Sequence, residues 1–230
     1  MPFSTEYSSV FELAEKIKAK KGLVISKSLS SGENYDISLY SFGEEEGITW
    51  QKLSSDILLY VLEGSVLLEV KKEGKTISEE AFKGSSLFVK EGDEFQISGK
   101  KDIPYKMLFI SINTKIQEEN SMFIKNFNHG EVLTLKDQVE FEKGTIVSKT
   151  LVNSPSLTMT LFAFDQGQEV KSHSAPGDAF VFCLEGSAQI ELNGKKLSIN
   201  EGESLIMSAG SPHAVKAEKP YKMLLTVVKA

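Results

Sequence analysis

The sequence contains an internal repeat, and this repeat constrains the fold more than any other feature. Three groups of residues occur twice in the same order. They are Lys21–Leu29 and Lys143–Leu151, Leu62–Ser65 and Leu184–Ser187, and Pro104–Leu108 and Pro220–Leu224. Subtracting 21 from 143 or 62 from 184 gives an offset of 122, and subtracting 104 from 220 gives 116. A period above about 100 residues is too long for a solenoid unit and predicts two copies of one domain.

The repeat divides the 230-residue chain into two predicted domains, 1–112 and 129–230. Each is long enough to bury a core of its own. The stretch between them, 113–128, is polar and has no strand-like counterpart in the second copy, so it is predicted to be a linker.

Most of each copy has the pattern of short β-strands. Runs rich in β-branched and aromatic residues alternate with Gly, Asn, Asp or Ser, as expected for strands and turns. These runs are Tyr35–Phe42, Ile57–Leu62, Ser65–Val70, Leu157–Phe164, Ala179–Leu184 and Ala188–Leu192. Many short strands with regular turns predict an all-β sandwich or barrel in each copy.

The start of each copy has a different pattern. In the first copy, apolar residues from Val10 to Ile17 lie at helical spacing, and Ser9 with Glu12 resembles a capping box. This predicts a short N-terminal helix. The equivalent pattern in the second copy, from Val132 to Val139, is shorter and fits a single turn or a strand.

Charge and composition exclude several classes of function. The net charge is −6 and there is no basic run, which argues against a nucleic-acid partner. Cys183 is the only cysteine, so no disulfide forms within the chain. No apolar run approaches the roughly 18 residues that span a bilayer, and the first residues lack the pattern of a secretory signal. A cytoplasmic protein without a membrane partner is therefore expected.

The second copy carries two blocks in which glycines and histidines recur at fixed spacing. Gly167 precedes His173 and Gly186 closes the first block, while Gly202, Gly210 and His213 form the second. These blocks resemble the motifs of the cupin superfamily, G(X)5HXH(X)3–4E(X)6G and G(X)5PXG(X)2H(X)3N. The resemblance implies two tandem cupin barrels of the double-stranded β-helix, or jelly-roll, type. In a complete motif, three His and one Glu are suitable ligands for Fe, Mn, Ni or Zn.

This sequence departs from the complete motif. Ala175 stands at the second His position and Ala179 at the Glu position, so only His173 and His213 remain as candidate metal ligands. The string His173–Ala179 resembles a subgroup of small cupins of the "cupin 2 conserved barrel" type. One divalent metal ion in the C-terminal barrel is therefore an open alternative to a metal-free pocket in which the two imidazoles bind a ligand or each other.

Strand alternation predicts the other residues of the candidate pocket. Cys183 lies four residues after Ala179, which places both on one face of a strand. Alanine in place of the second His and the Glu of the motif also enlarges the barrel interior, so a mostly apolar pocket is expected. Its predicted lining residues are His173, Ala175, Ala179, Cys183, Met159, Met207 and His213.

The first copy has lost every candidate ligand. With the same offset, Gln51, Leu53 and Ile57 stand opposite His173, Ala175 and Ala179, and Phe95 stands opposite His213. We therefore expect an N-terminal barrel filled with apolar side chains, with a structural or dimer-mimicking role and with Trp50 and Phe95 near its mouth.

Three functions follow from these observations. The first is a bicupin that binds a small molecule in its C-terminal barrel without catalysis. The second is a metal-dependent enzyme, a dioxygenase, isomerase or cyclase, that uses His173 and His213. The third is a structural or interaction module. Because single-domain cupins commonly pair, a chain with two barrels is expected to be a monomer that mimics the dimer, or a homodimer.

Overall fold

The computed structural model of the protein describes Phe3, residues 9–113 and residues 127–229, and these residues are mostly β-strand. The strands up to residue 135 are β1 (Phe11–Glu12), β2 (Val24–Ser31), β3 (Tyr35–Phe42), β4 (Gly47–Lys52), β5 (Asp56–Glu63), β6 (Ser65–Lys72), β7 (Lys75–Phe82), β8 (Ser85–Val89), β9 (Glu94–Gly99), β10 (Tyr105–Ile112) and β11 (Val132–Thr134). The later strands are β12 (Ile146–Asn153), β13 (Leu157–Phe164), β14 (Glu169–His173), β15 (Asp178–Glu185), β16 (Ser187–Leu192), β17 (Lys195–Asn200), β18 (Glu203–Met207), β19 (His213–Ala217) and β20 (Tyr221–Val228). The predicted all-β class is confirmed.

The predicted N-terminal helix is the main correction to the secondary structure. Phe11–Glu12 is a short strand, and only Ala14–Lys16 forms a single 3-10 turn. The physical reason is that Phe11 and Leu13 are both buried while Glu12 between them is exposed, which is the alternation of a strand. The second copy has the same order, with β11 followed by a 3-10 turn over Leu135–Gln138.

One compact unit, called the N-terminal barrel here, comprises residues 14–135. It has a six-stranded sheet in the order β11-β8-β5-β10-β3-β2 and a four-stranded sheet in the order β4-β9-β6-β7. Apolar side chains from both sheets, such as Leu59 and Met107 from the first and Leu68 and Ile97 from the second, form one core cluster. The interior between the two sheets is the lumen of this barrel.

The other compact unit, the C-terminal barrel, comprises the residues through Leu13 together with those from Lys136 on. Its sheets have the orders β1-β18-β15-β20-β13-β12 and β14-β19-β16-β17, which repeat the pattern of the N-terminal barrel. Its core cluster again takes side chains from both sheets, such as Val181 and Met223 from one and Ile190 and Val215 from the other.

These two units differ from the predicted ranges by the exchange of their leading segments. β1 precedes the first copy in sequence but pairs with β18 of the C-terminal barrel, where the Leu13 amide donates to the Gly202 carbonyl at 3.3 Å. β11 precedes the second copy but pairs with β8 of the N-terminal barrel. Residues 114–126 of the predicted linker lie outside the described part of the chain.

Two of the three repeated residue groups lie against each other in each barrel. A Cβ atom at Gly186 would overlap the carbonyl oxygen of Pro220, and the Glu185 carboxylate lies 3.4 Å from the Lys222 ammonium. In the N-terminal barrel, a Cβ at Gly64 would meet the Pro104 carbonyl oxygen in the same way. These two groups therefore recur where two segments share one tightly packed corner.

Candidate functional site

Two histidines meet at one end of the C-terminal barrel. His173 ends β14, His213 begins β19, and the antiparallel register sets them directly opposite each other. Their ring centroids are 4.4 Å apart and the ring planes meet at 58°. On its other side His213 pairs with Leu192, which belongs to the core cluster. Because cross-strand partners share a sheet face, the two imidazoles lie on the face that lines the lumen.

The two imidazoles differ in burial. The His213 side chain is 6% exposed, whereas His173 is exposed. The pair therefore extends from the closed interior of the barrel to its surface. A ligand that reaches His213 from solvent would pass close to His173.

Backbone carbonyls orient both rings in the same way. The Nδ1 atom of His173 lies 3.0 Å from the Lys171 carbonyl oxygen, and that of His213 lies 2.8 Å from the Ser211 carbonyl oxygen. A carbonyl oxygen only accepts hydrogen bonds, so each Nδ1 carries the hydrogen. In the neutral ring, Nε2 then holds a lone pair that can accept a hydrogen bond or bind a metal ion.

The environment of His213 favours the neutral ring. Burial lowers the pKa of His213 below the ordinary value of 6.5, the hydrogen bond to Ser211 raises it, and the nearby His173 imidazole lowers it again. The net direction is downward. At neutral pH, His213 therefore offers a lone pair to the lumen rather than a positive charge.

This lowered pKa predicts that acid destabilises the protein through His213. Below about pH 6.5 the imidazole is protonated in the unfolded chain more readily than in the folded state. The free energy of unfolding therefore decreases as the pH is lowered. His213→Phe, which installs the residue found at the counterpart position 95, should flatten this part of the pH dependence. The measurement is the urea midpoint between about pH 7.5 and pH 5.5 with EDTA present. His173→Phe serves for comparison and should change the pH dependence less, because it removes only the smallest of the three influences on the pKa of His213. An unchanged pH dependence in His213→Phe would contradict the assignment.

Of the two alanines of the motif, Ala179 lies in the core and Ala175 lies in a loop. Ala179 pairs with Met207 on one side and Val227 on the other, and all three belong to the core cluster or pack against it. Ala175 lies in the loop between β14 and β15, where its carbonyl accepts a 2.9 Å hydrogen bond from the Gly210 amide. This bond ties the loop that follows His173 to the loop that precedes His213.

Two threonines complete this wall, and the sequence analysis missed them. Val227 pairs with Thr158 and Leu225 pairs with Thr160, so both hydroxyls lie on the lumen face of β13. Both residues are partly exposed. The alternation of β13 contains the signal, because residues 158, 160 and 162 share one face and Phe162 packs against the core cluster.

The structure places Met159 away from the other predicted lining residues. It pairs with Thr226, which in turn pairs with Phe180, so these three side chains share the sheet face opposite the lumen. Met159 is fully buried there. The apolar residues Leu157, Met159 and Leu161 are fully buried on the face of β13 opposite the lumen, so their hydrophobicity wrongly indicated the barrel interior.

Cys183 shares the core cluster with Ala179 but lies toward the other end of the barrel. Four residues along a strand correspond to about 13 Å, which is too far for joint metal binding with the histidines. Burial is the largest influence on the thiol and raises the pKa of Cys183 to about 12. Its sulfur lies 3.6 Å from the Gly186 carbonyl oxygen. The neutral thiol thus packs as a small buried side chain.

In the N-terminal barrel, the counterparts of the two histidines pair with each other in the same way. Gln51 pairs with Phe95 as His173 pairs with His213, in agreement with the offset of the repeat. Phe95 and Ile57 belong to the core cluster, and Leu53 packs against it. Where the C-terminal barrel has two alanines and an imidazole, the N-terminal barrel therefore has larger apolar side chains. Trp50 does not join them, since the Lys71 ammonium lies 4.0 Å above its ring.

The described residues contain two candidate donors for a metal ion at this site, one fewer than the three that catalytic metal sites usually supply. Within residues 9–113 and 127–229, no three His, Cys, Asp or Glu side chains are grouped to hold a metal. Carbonyl oxygens hold both Nδ1 atoms, which leaves the Nε2 atoms as the possible ligand atoms, whereas Ala175 and Ala179 offer none. The protein side chains thus fit a metal ion only incompletely.

A separate groove of about 370 Å³ lies on the other face of the four-stranded sheet. Lys171, Gln189, Glu191, Lys196 and Lys216 are among its lining residues. Gln189 pairs with Lys216 on the face opposite the core residue Ile190, so this groove and the histidine pair are on different sides of the sheet.

Comparison with known proteins identifies the family. The family model "Cupin domain", of the Cupin_2 type, matches residues 160–228. A structure of a cupin 2 conserved barrel domain protein from Leptotrichia buccalis is 27% identical, covers 100% of both chains and superposes with a TM-score of 0.83. Residues 160–228 therefore belong to a cupin domain. The likeness to the Leptotrichia protein covers the whole chain, so both barrels resemble a cupin 2 conserved barrel protein.

More distant structures share the fold of this cupin. Salicylate 1,2-dioxygenase from Pseudoaminobacter salicylatoxidans is 13% identical with a TM-score of 0.64, over 94% of this chain and 76% of that chain. A mutant of Bacillus subtilis oxalate decarboxylase OxdC is 13% identical with a TM-score of 0.55, over 99% and 79%. At this identity they show the fold alone. No curated protein matches the sequence. In the described residues, no helix is long and apolar enough to cross a membrane.

Proposed function

We propose that this bicupin binds a small organic molecule in the lumen of its C-terminal barrel. The observation that carries the proposal is the combination of a buried imidazole with two alanines where the other barrel has bulkier residues. Ala179 belongs to the core cluster beside Met207, and both Ala175 and Ala179 are smaller than Leu53 and Ile57 at the counterpart positions of the N-terminal barrel.

The side chains around this space define the chemistry of the ligand. The Nε2 atoms of His173 and His213 accept hydrogen bonds when the rings are neutral, and the hydroxyl groups of Thr158 and Thr160 can donate or accept. Met207 and Val227 supply apolar surface. A compact, mostly apolar molecule with at least one hydroxyl or N–H group would match this lining.

Filling the lumen is expected to abolish binding. Ala179→Ile installs the larger residue of the N-terminal barrel, so ligand affinity should fall at least tenfold, or about 1.4 kcal/mol. Ala214→Ile adds the same atoms in the groove outside the barrel and should change affinity less than about twofold. Thermal-shift screening of a library of small metabolites, followed by calorimetric titration of the hits, provides the measurement. Equal affinity of wild type and Ala179→Ile, or no hit at all, would contradict the proposal.

A metal-dependent enzyme, of the dioxygenase, isomerase or cyclase type, is the second candidate. It is supported by the two carbonyl-held imidazoles, whose Nε2 atoms are the ring atoms left for a metal such as Fe, Mn, Ni or Zn. Water or substrate would have to complete the ligand shell. Metal analysis of protein purified without chelator distinguishes this candidate, which requires stoichiometric metal in the wild type and its loss in His213→Phe.

A structural or interaction module is the third candidate, and a C-terminal barrel that binds neither ligand nor metal in these experiments would favour it. For the assembly, we propose a monomer, with a homodimer as the alternative, because one chain already carries two cupin barrels. A cytoplasmic location also remains a proposal.

A further inference from the structure

The lumen of the N-terminal barrel is not purely apolar. Asp36 pairs with Ser111, and Ser111 pairs with the core residue Ile57, so these three side chains lie on one face of the six-stranded sheet. Two residues further along β3, Ser38 pairs with the core residue Phe109. A carboxylate and two hydroxyl groups therefore stand on the lumen wall, at the same end of the barrel as Ile57.

These polar groups are close to aromatic rings and to each other. The Ser38 hydroxyl donates a short hydrogen bond to Asp36 Oδ1. The Tyr40 ring packs against the core cluster, with its centroid 4.3 Å from that of Phe109. Burial raises the pKa of Tyr40, and the negative charge of Asp36 raises it further. The carboxylate is thus near enough to influence the phenol.

The polar groups around Asp36 include both buried and solvent-accessible side chains. Ser38 is 6% exposed, whereas Asp36, Tyr40 and Ser111 are partly exposed. The carboxylate therefore sits at the border between solvent and an apolar interior that includes Phe95 and Ile57. A charge in such a place gains most from a partner of opposite charge that also brings apolar surface.

The counterpart positions in the C-terminal barrel lack this charge. Subtracting the offset of 122 makes Asp36 the counterpart of Thr158 and Ser38 that of Thr160. The two barrels thus carry their strongest polar groups on different walls. The C-terminal barrel has imidazoles on its four-stranded sheet, and the N-terminal barrel has a carboxylate on its six-stranded sheet.

We propose that the N-terminal barrel holds a second small-molecule site that takes a compact organic cation such as a primary amine. The Asp36 carboxylate pairs with the ammonium group, the hydroxyls of Ser38 and Ser111 accept its remaining hydrogens, and the rings of Tyr40 and Phe109 contact the carbon body. This site does not depend on the ligand proposed for the C-terminal barrel.

Benzylamine and benzyl alcohol test the proposal, because they differ mainly in charge. In nitrogen-15 NMR titrations of the full chain, benzylamine is expected to shift the amide signals of β3 and β10, with benzyl alcohol at least tenfold weaker. Asp36→Asn keeps the shape of the side chain and should weaken benzylamine binding at least tenfold. Asp102→Asn removes an exposed carboxylate from the turn before β10 of the same barrel and should leave that binding within about twofold of wild type.

The outcomes that overturn the proposal are equally specific. They are equal shifts from the amine and the alcohol, equal benzylamine affinity of Asp36→Asn and wild type, or shifts confined to the C-terminal barrel. If Asp36→Asn does not fold, Ile57→Phe provides a second variant that adds bulk on the same sheet face as the carboxylate without removing it. It should also lose benzylamine binding, and retention of full affinity would overturn the proposal. Binding of metabolites in the C-terminal barrel is measured separately, so failure of one site does not imply failure of the other.

Discussion

Leu13→Ala is expected to lower the free energy of unfolding of the C-terminal barrel by about 2–5 kcal/mol, the range for a buried leucine replaced by alanine. Leu13 is fully buried, and it belongs to the compact unit formed with the residues from Lys136 on. The adjacent Phe11 is 7% exposed and pairs with Ser204. A buried residue near the start of the chain thus belongs to the compact unit formed by the second copy.

Hydrogen exchange measured by mass spectrometry shows which barrel is affected. In Leu13→Ala, peptides from β18 should exchange faster at equilibrium, whereas peptides from β8 should change less. Leu135→Ala is the matched variant, since Leu135 is the repeat counterpart of Leu13, is also fully buried and belongs to the N-terminal barrel. It should produce the reverse pattern.

The exposed Glu12 supplies a control for the segment itself. Glu12→Ala removes no buried surface and should change the urea midpoint little. Faster exchange of β8 rather than β18 in Leu13→Ala would show that the leading segment stabilises its own copy, which would contradict the exchange of segments.

Gly186→Ala is expected to be strongly destabilising for two physical reasons. The backbone φ angle of Gly186 is +76°, where a residue with a Cβ is strained by about 1–2 kcal/mol. In addition, the new Cβ would overlap the carbonyl oxygen of Pro220, and relief of that overlap should cost a further 1–3 kcal/mol, roughly the range for overpacked sites.

Gly194→Ala separates these two contributions. Gly194 has a φ angle of +78°, and a Cβ there would meet nothing within 4 Å. This variant should therefore show the backbone strain alone, and the difference between the two variants should report the overlap. Urea unfolding followed by circular dichroism measures both. Equal losses of stability in the two variants would mean that the backbone near Gly186 shifts to avoid the Pro220 carbonyl oxygen at no cost in free energy.

The repeat made the two-barrel architecture predictable from the chain alone. It also made the pairing of Gln51 with Phe95, and of His173 with His213, predictable through one offset, because equivalent residues in duplicated domains occupy equivalent places. The motif spacing further indicated which strands carry the imidazoles. These inferences rest on the spacing of residues along the chain, which can be read directly from the sequence.

The candidate lumen was harder to predict because strand alternation fixes a side chain's face but not its surroundings. Ala179 and Cys183 share one face, yet the distance along β15 separates Cys183 from the histidines. In β13 the apolar residue Met159 points away from the lumen and the polar residue Thr158 points toward it, so hydrophobicity indicated the wrong face. The carboxylate of Asp36 stands at the counterpart position of Thr158 and was overlooked for the same reason.

The number of barrels, their β-rich class and the two histidines that distinguish the second barrel were predictable from the residues alone. Which barrel receives Leu13 and which receives Leu135 depends on the folded chain, because each leading segment adjoins its own copy in sequence but belongs to the other barrel. That choice depends on contacts between residues far apart in the chain, such as Phe11 with Ser204, and such contacts leave no periodic signal in the sequence.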